Sequence, residues 1–471
     1  MNLKIVLFLL LLPLLYLGVG ETHDWGDDFA QYLIQAKNIN EGIPQEQNDL
    51  VFDARQMPYA LKAYPAGFPL LLAPMYKFFG LEIKPYLILI SLILILASLK
   101  VFSFCKKQYD EKIALLIALL FAYNVFSLIL KKEILSEWPF ILVLYTILHR
   151  LQKNNTKTYL SCGILAGVLI SFRIAGALII PAVFLSVLVS PIPQQEKSKR
   201  ILAFVFPAII VFALLNVALF GLSIQELLGF YQKQWTSHSF AIVTNLWDLL
   251  TNTAAILCQP LHSDAWNFIV LALIITGIVR KFKEQSAAQW FFFLYIGLIA
   301  IYPYTSSGFR FLFPIIPLAI IYFAEGVLYV VSSFKKAGWY VGVIGTFTII
   351  SIVFSIRFFT KLPPADGPYT KEAREAFTWI QQNTPENTVI AFPRARAMSL
   401  YGKRKSTFLV DGISADANKS VFDKLSCKYI LYPDERSGAF SDKLQEYLMR
   451  TKSSYETVWT NGMYVVLKKR E

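Results

Sequence analysis

Long apolar segments separated by short basic loops are the feature that most constrains this chain. Each apolar run is long enough, or nearly so, to cross about 30 Å of hydrocarbon. Hydrophobic residues make up 55% of the 471 residues, whereas charged residues make up only 16%. A water-facing surface cannot hide that much apolar sequence. The sequence therefore predicts an α-helical polytopic membrane protein.

About eleven segments are predicted to be transmembrane helices. The first is interpreted as an uncleaved span rather than a signal peptide, because its apolar run approaches twenty residues and lacks an A-x-A site. The two short segments on either side of Arg173 predict a tight outside turn or a partly re-entrant hairpin. The predicted spans are 1–20, 83–104, 113–130, 138–149, 160–172, 174–190, 201–221, 265–279, 287–303, 311–331 and 338–357.

The basic balance of the chain is explained by membrane topology. The formal net charge is +13, but Lys and Arg gather in loops that alternate along the chain. If these loops and Lys4 face the cytoplasm, the N-terminus lies inside and the C-terminus outside. This distribution argues against nucleic acid as a partner and for contact with anionic lipid. The basic loops are 106–112, 150–157, 197–200, 280–283 and 335–336.

The C-terminal tail differs in character from the rest of the chain. The linker KLPPADGP (361–368) separates a transmembrane domain, 1–360, from a C-terminal domain, 361–471. The tail combines an amphipathic helical pattern at 371–384 with five short strand-like runs. Alternating helices and strands of this length predict a small α/β extracytoplasmic domain. The two other regions predicted to lie outside are the loops 21–82 and 222–264.

The first outside loop begins with adjacent carboxylates, Asp27 and Asp28, close to the end of the first apolar segment. The pattern GDDFAQYLIQAKNINEG predicts a helix that starts at these aspartates, lies along the membrane surface and ends near Gly42. Helix capping is one interpretation of the pair. The other is chemistry, because charge next to hydrocarbon is costly. Further along, YPAGFPLLLAPMYKFFG (64–80) predicts an amphipathic interfacial segment.

Other charged residues are predicted to lie on the same membrane face. The outside turn KKEILSEWPF carries Lys131, Lys132 and Glu137, and lysines there favour an anionic partner such as a lipid phosphate; a snorkelling pair is the alternative. Arg173 interrupts an apolar stretch, which makes it a functional candidate. Arg310 is either a second such candidate or an interfacial anchor.

This set of residues suits transfer chemistry on a lipid phosphate. A carboxylate can take the proton from an acceptor nucleophile, and cations can stabilise the phosphate that leaves. Two other classes stay open, namely a multi-span transporter or flippase and a non-catalytic scaffold whose tail is the binding module. A transporter of this size often shows repeated halves, and the sequence shows no internal repeat.

Six motifs, in order, resemble the GT-C membrane glycosyltransferases, specifically the bacterial relatives of the dolichyl-phosphate-mannose protein mannosyltransferases and of the aminoarabinose transferases that act on lipid A. The resemblance extends to about residue 320. The motifs are GDD (26–28), Tyr32-x-x-x-Ala36-x-Asn38, YPAGFPLLL (64–72), LSE (135–137), SFRIAGALIIP (171–181) and SGFRFLFPIIP (307–317).

The resemblance implies a glycosyltransferase, hexosyl or pentosyl, at the outer face of the bacterial cytoplasmic membrane. Its donor would be a polyprenyl-phosphate sugar and its acceptor a lipid, a glycan or a protein. Asp27 would be the general base, with Asp28 in support, although relatives more often have Glu at that place. Glu137 would help to complete the cavity. The donor phosphate would be bound by Lys131, Lys132, Arg173 and Arg310.

No cofactor is firmly implied, and a divalent metal ion is the one that the sequence leaves open. His238 and His262 of the second outside loop could bind it or contact the acceptor, but they lack ligand spacing and are interpreted as ordinary loop histidines. In the tail, Asp411, Asp416 and the PRAR run (393–396) are interpreted as surface.

Overall fold

The computed structural model describes residues 2–56, 61–153, 155–236, 242–258, 263–302, 305–332, 339–410 and 414–470. The chain forms two compact units. The first unit comprises Met1–Val19, Leu87–Leu219 and Ser239–Leu362. The second unit comprises Gly20–Tyr86, Phe220–His238 and Pro363–Glu471.

Most of the described chain is helical. Short 3₁₀ or π turns extend several of the α-helices, notably at Leu12–Leu15, Ile174–Leu178, Ala213–Ala218, Thr305–Ile315 and Met398–Gly402. The α-helices, in chain order, are α1 (Leu3–Leu11), α2 (Asp28–Glu41), α3 (Gly67–Phe79), α4 (Ile83–Cys105), α5 (Glu111–Ala122), α6 (Val125–Leu130), α7 (Glu137–Leu151), α8 (Thr156–Phe172), α9 (Ile179–Val189), α10 (Gln194–Phe212), α11 (Ile224–Thr236), α12 (Ile242–Cys258), α13 (Asp264–Lys281), α14 (Ala287–Ile301), α15 (Ile316–Ser332), α16 (Trp339–Phe359), α17 (Lys371–Asn383), α18 (Ala395–Ala397), α19 (Ala415–Lys424) and α20 (Asp442–Thr451).

Every segment that the sequence predicts as a membrane span contains helix. The helical membrane fold is confirmed, whereas the number of crossings and their orientation stay predictions. In the described part of the chain, five helical segments are long and apolar enough to cross a membrane: Ile83–Cys105, Gln194–Ala218, Asp264–Glu284, Arg310–Ser332 and Trp339–Phe359. The predicted outside loop 222–264 contains the two helices α11 and α12, which the sequence did not indicate.

The chain breaks at Arg173, as the sequence predicts. Helix α8 ends at Phe172, and Arg173 has extended backbone angles (φ −153°, ψ 132°). A 3₁₀ turn, Ile174–Leu178, then leads into α9. The long apolar stretch is therefore two short helices with an arginine at their junction.

Small residues let helices of the first unit approach closely. An added Cβ on Gly277 of α13 would overlap the carbonyl oxygen of Tyr322 in α15, and one on Gly326 of α15 would overlap the carbonyl oxygen of Leu273 in α13. Helices in lipid associate through this kind of close packing, because burial from water does not drive their contact.

The tail forms the predicted small α/β domain within the second unit. Its five strands, in the order β2-β1-β3-β5-β4, form a mixed sheet. Strands β1, β2 and β3 pair in parallel, while β5 pairs antiparallel with β3 and with β4. The strands are β1 (Val389–Ala391), β2 (Lys405–Thr407), β3 (Cys427–Pro433), β4 (Tyr455–Thr460) and β5 (Tyr464–Lys469).

Helix α2 of the first outside loop is buried on its polar face as well as its apolar one. Gln31, Gln35 and Asn38 lie one helical turn apart and are all buried. The Gln31 and Gln35 side-chain amides donate to the carbonyl oxygens of Lys62 and Tyr64, each at 2.9 Å. These bonds satisfy polar groups that would be costly to bury alone, and they fix the chain that leads into α3.

The close approach of α13 and α15 predicts that Gly277→Ala destabilises the protein. The methyl group must push the helices apart, at a cost of about 2 kcal/mol in the free energy of unfolding. Gly297→Ala in α14 is the matched control, because no atom lies within 4 Å of its added Cβ. Thermal unfolding in detergent measures both; equal midpoints for the two variants would contradict this account of the packing.

Candidate active site

Asp27 occupies the N-cap position of α2, but its side chain does not cap that helix. Its carboxylate instead accepts hydrogen bonds from the tail, in the same unit. Oδ1 accepts from the backbone N–H groups of Arg396 at 3.2 Å and Ala397 at 3.4 Å. Oδ2 accepts from Nη1 of Arg396 at 3.1 Å. The carboxylate therefore has its position fixed by three donors.

The partner of Asp27 is a buried arginine that the sequence did not single out. Arg396 is 8% exposed, so the interpretation of the PRAR run as surface is wrong for this residue. Its guanidinium also lies over the ring of Tyr64, 5.2 Å from the ring centroid. Ion pairing and the aromatic face together compensate the arginine for its burial.

Asp28 is the first residue of α2, where a negative charge is favourable. It accepts a hydrogen bond of 2.6 Å from the hydroxyl of Tyr64. The backbone of Tyr64 is held on both sides by Gln35, whose Oε1 accepts from the Tyr64 N–H at 3.0 Å and whose amide donates to the Tyr64 carbonyl. Asp27, Asp28, Tyr64 and Arg396 form a group that we call the acidic-pair cluster.

Burial shifts the pKa of two groups in this cluster. Burial raises the pKa of the Asp27 carboxyl, although the positive charges of Arg396 and Arg394 oppose that effect. Burial also raises the pKa of the Tyr64 hydroxyl, so Tyr64 stays a donor towards Asp28. A carboxylate with a raised pKa is a stronger proton acceptor than an ordinary aspartate.

A second cluster forms in the other unit around Glu137, the first residue of α7. Its carboxylate is 1% exposed and accepts from Nη1 of Arg173 at 2.6 Å and from Nε of Arg310. The side chains of Arg173 and Arg310 are 17% and 25% exposed. The structure thus brings together three of the residues predicted for the site, which we call the arginine cluster.

Two guanidinium groups against one carboxylate leave the arginine cluster with one net positive charge. Arginine suits the recognition of phosphate, since its planar fork matches two oxygens at once. Glu137 orients both arginines, and its burial makes that arrangement rigid. The cluster can therefore hold an anion without first having to order its side chains.

The predicted phosphate-binding lysines lie in other surroundings of the same unit. Lys131 is fully buried, and its Nζ donates to the hydroxyl of Ser91 at 3.1 Å. Lys132 lies over the ring of Phe359, 5.7 Å from the centroid. Neither of these contacts joins the arginine cluster.

The remaining predictions from the sequence concern a metal and the surface of the tail. Within the residues that the structure describes, no group of three or more His, Cys, Asp or Glu side chains could hold a metal ion. His238, His262 and Asp411 lie outside the described residues. Asp416 is exposed, as predicted.

Comparison with known proteins supports the fold and the resemblance seen in the sequence. Residues 64–220 match the family model described as dolichyl-phosphate-mannose-protein mannosyltransferase. No curated protein matches the chain in sequence.

Among solved structures, ArnT from Cupriavidus metallidurans bound to undecaprenyl phosphate is similar at a TM-score of 0.61 and 11% identity, over 98% of this chain and 97% of that one. The archaeal oligosaccharyltransferase AglB from Archaeoglobus fulgidus, in complex with an inhibitory peptide and a dolichol-phosphate, is similar at a TM-score of 0.58 and 13% identity. The alignment covers 92% of this chain and 69% of AglB. The chain therefore has a GT-C fold.

The arginine cluster predicts that Glu137→Gln costs about 3 kcal/mol in the free energy of unfolding, since it leaves two cations without their carboxylate. The double variant Glu137→Gln/Arg310→Gln should be more stable than the sum of the single changes predicts, by at least about 1 kcal/mol. Glu196→Gln is the control, because its pair with Arg200 is more exposed and should cost less than about 1 kcal/mol. Thermal or denaturant unfolding of the four variants in detergent measures this coupling, and strict additivity would contradict it.

Proposed function

We propose that this chain, which has the GT-C fold and resembles the mannosyl- and aminoarabinosyltransferases in its motifs, transfers a sugar from a polyprenyl-phosphate donor to a lipid, glycan or protein acceptor at the outer face of the membrane. The observation that carries the proposal is the half-buried Asp27 carboxylate, held by three donors and with a raised pKa. The lipid phosphates bound by ArnT and AglB support the class of donor.

Asp27 is the general base in this proposal. Sugar transfer requires the acceptor to lose a proton as its nucleophilic atom attacks the sugar carbon, while the bond from that carbon to the phosphate breaks. A carboxylate with a raised pKa takes this proton more readily than an ordinary one. Its three donors fix the orientation of the carboxylate, so that it need not be ordered when the acceptor binds.

Asp28, Tyr64 and Arg396 are positioning residues. The Tyr64 hydroxyl holds Asp28 at 2.6 Å, so the second carboxylate stays apart from the first. Arg396 balances one of the two adjacent negative charges, without which they would repel each other. The tail thereby takes part in the chemistry through the side chain that it contributes.

The arginine cluster is proposed to bind the donor phosphate. As the bond to the sugar breaks, negative charge develops on the departing phosphate, and preorganised cations stabilise that charge. Arg173 and Arg310 provide two such cations in a fixed arrangement. Glu137 takes a positioning role, which replaces the sequence-based proposal that it completes the cavity.

The first functional prediction is that Asp27→Asn abolishes sugar transfer, by about 10³-fold or more, because the amide cannot accept the proton. Asp28→Asn should be less severe, by about ten- to a hundredfold. Asp24→Asn, an exposed acid of the same loop, is the control and should retain activity. The measurement is release of undecaprenyl phosphate from undecaprenyl-phospho-mannose, -glucose and -aminoarabinose, with a membrane extract as acceptor.

Two outcomes would contradict the proposal. Full activity of a folded Asp27→Asn variant would remove the base. Substrate flux across proteoliposomes without covalent transfer by the wild-type chain would favour a transporter instead.

The pH dependence of transfer tests the role of Arg396. The active form of Asp27 is the carboxylate, so activity falls as the pH drops through its pKa, which burial raises from its ordinary value. Because the charge of Arg396 lowers that pKa, Arg396→Met should raise it and move the acid limb of the rate profile to higher pH. Arg396→Lys should restore most of the wild-type profile.

Arg394→Met is the matched control for this pH experiment. Arg394 also lowers the pKa of Asp27, but less than Arg396 does, and it makes no ion pair with it among the contacts of the described residues. Its removal should move the acid limb by a smaller amount. An acid limb that stays in place in Arg396→Met would show that Asp27 is not the titrating group.

A further inference from the structure

A groove runs along α17 in the second unit. The helix buries Ala373, Phe377 and Ile380. Arg374 and Thr378, one turn apart, face outward and line the recesses on either side. The groove is thus formed by side chains of the second unit, and none of the roles proposed above involves it.

The groove consists of two adjoining recesses of about 700 and 860 Å³. They share the lining residues Glu21, Tyr369, Arg374 and Thr378. Each volume falls in the roughly 300–1,000 Å³ range of small-molecule sites. A ligand several rings long could therefore occupy both.

One recess contains an aromatic platform. The indole rings of Trp379 and Trp459 lie nearly parallel, with centroids 5.9 Å apart and an angle of 25°. Both indoles are partly exposed and line the recess together with Gln382 and Asn461. Flat indole faces suit the apolar face of a sugar.

The other recess is rich in cations. Lys84, Arg374 and Lys403 line it, against the two carboxylates of Glu21 and Glu82. In the described part of the chain, none of these three cations has a carboxylate within ion-pair distance. An anionic group on a ligand would therefore find positive charge that is not already neutralised.

The floor of this recess is held rigid by tyrosines. The hydroxyl of Tyr369 lies 2.7 Å from that of Tyr401 and 2.9 Å from the carbonyl oxygen of Leu81. The guanidinium of Arg374 lies over the Tyr369 ring, 5.6 Å from its centroid. Since Arg374 lines both recesses, its charge is available along the whole groove.

We propose that the groove along α17 binds an oligosaccharide that carries a carboxylate or phosphate, with a sugar ring on the tryptophan platform and the anionic group at the cationic recess. That this glycan is the acceptor, or part of it, rests on the proposed function. The binding itself does not, because it follows from the aromatic and charged lining of the groove.

The test is isothermal titration calorimetry of the full chain in nanodiscs with tetragalacturonate and a heparin tetrasaccharide. Maltotetraose, which is neutral, and inorganic phosphate are the comparison probes. We expect at least one anionic tetrasaccharide to bind, and to bind at least tenfold more tightly than maltotetraose or inorganic phosphate. Absence of binding by both anionic tetrasaccharides would overturn the proposal.

Variants locate the binding. Trp459→Ala and Arg374→Ala should each weaken it at least tenfold, whereas Trp459→Phe, which keeps an aromatic face and guards against a folding defect, should retain most of it. Val458→Ala in the same strand and Lys419→Ala, an exposed cation of the tail, are the controls. Equal binding by Trp459→Ala and the wild type would overturn the proposal, because the oligosaccharide would then bind elsewhere on the chain.

The transfer assay separates this proposal from the previous one. Oligosaccharide binding by a chain without sugar transfer would leave the groove standing and remove the proposed function. Sugar transfer with no oligosaccharide bound would do the reverse.

Discussion

The contact between Asp27 and Arg396 is the interaction on which the proposed site most depends. It joins residues that are far apart in the sequence, one at the start of the first outside loop and one in the tail. Because both side chains are largely withdrawn from water, neither charge is tolerable without the other. The loop and the tail are consequently one structural unit, although the sequence suggests a loop of the membrane domain and a separate C-terminal domain.

Charge compensation also explains the surroundings of Glu137. A carboxylate that is 1% exposed needs compensation, and Arg173 and Arg310 supply more than one charge of it. Under the proposed function these two arginines bind the donor phosphate. The break of the chain at Arg173 contributes to this compensation, because the extended residue between two short helices directs its side chain to Glu137 of α7.

Local features of the fold could be predicted from the sequence, whereas long-range pairings could not. The start of α2 at Asp28, its end before Gly42, and the tail helix at 371 follow from caps and periodicity within a few residues. The buried polar face of α2 could not be foreseen, because its partners are backbone carbonyls of a loop about thirty residues away. Arg396 was missed for the same reason. The Nζ of Lys131 donates to the buried hydroxyl of Ser91, and its role at the donor phosphate stays a prediction.

The two clusters differ in their charged groups and, in the proposed function, in their roles. In the acidic-pair cluster, the adjacent carboxylates of Asp27 and Asp28 are balanced by the ion pair with Arg396 and by the more remote charge of Arg394. In the arginine cluster, two guanidinium groups face one carboxylate, so the group carries one net positive charge and can attract a phosphate. Under the proposed function the acceptor must lose a proton while the donor phosphate gains negative charge.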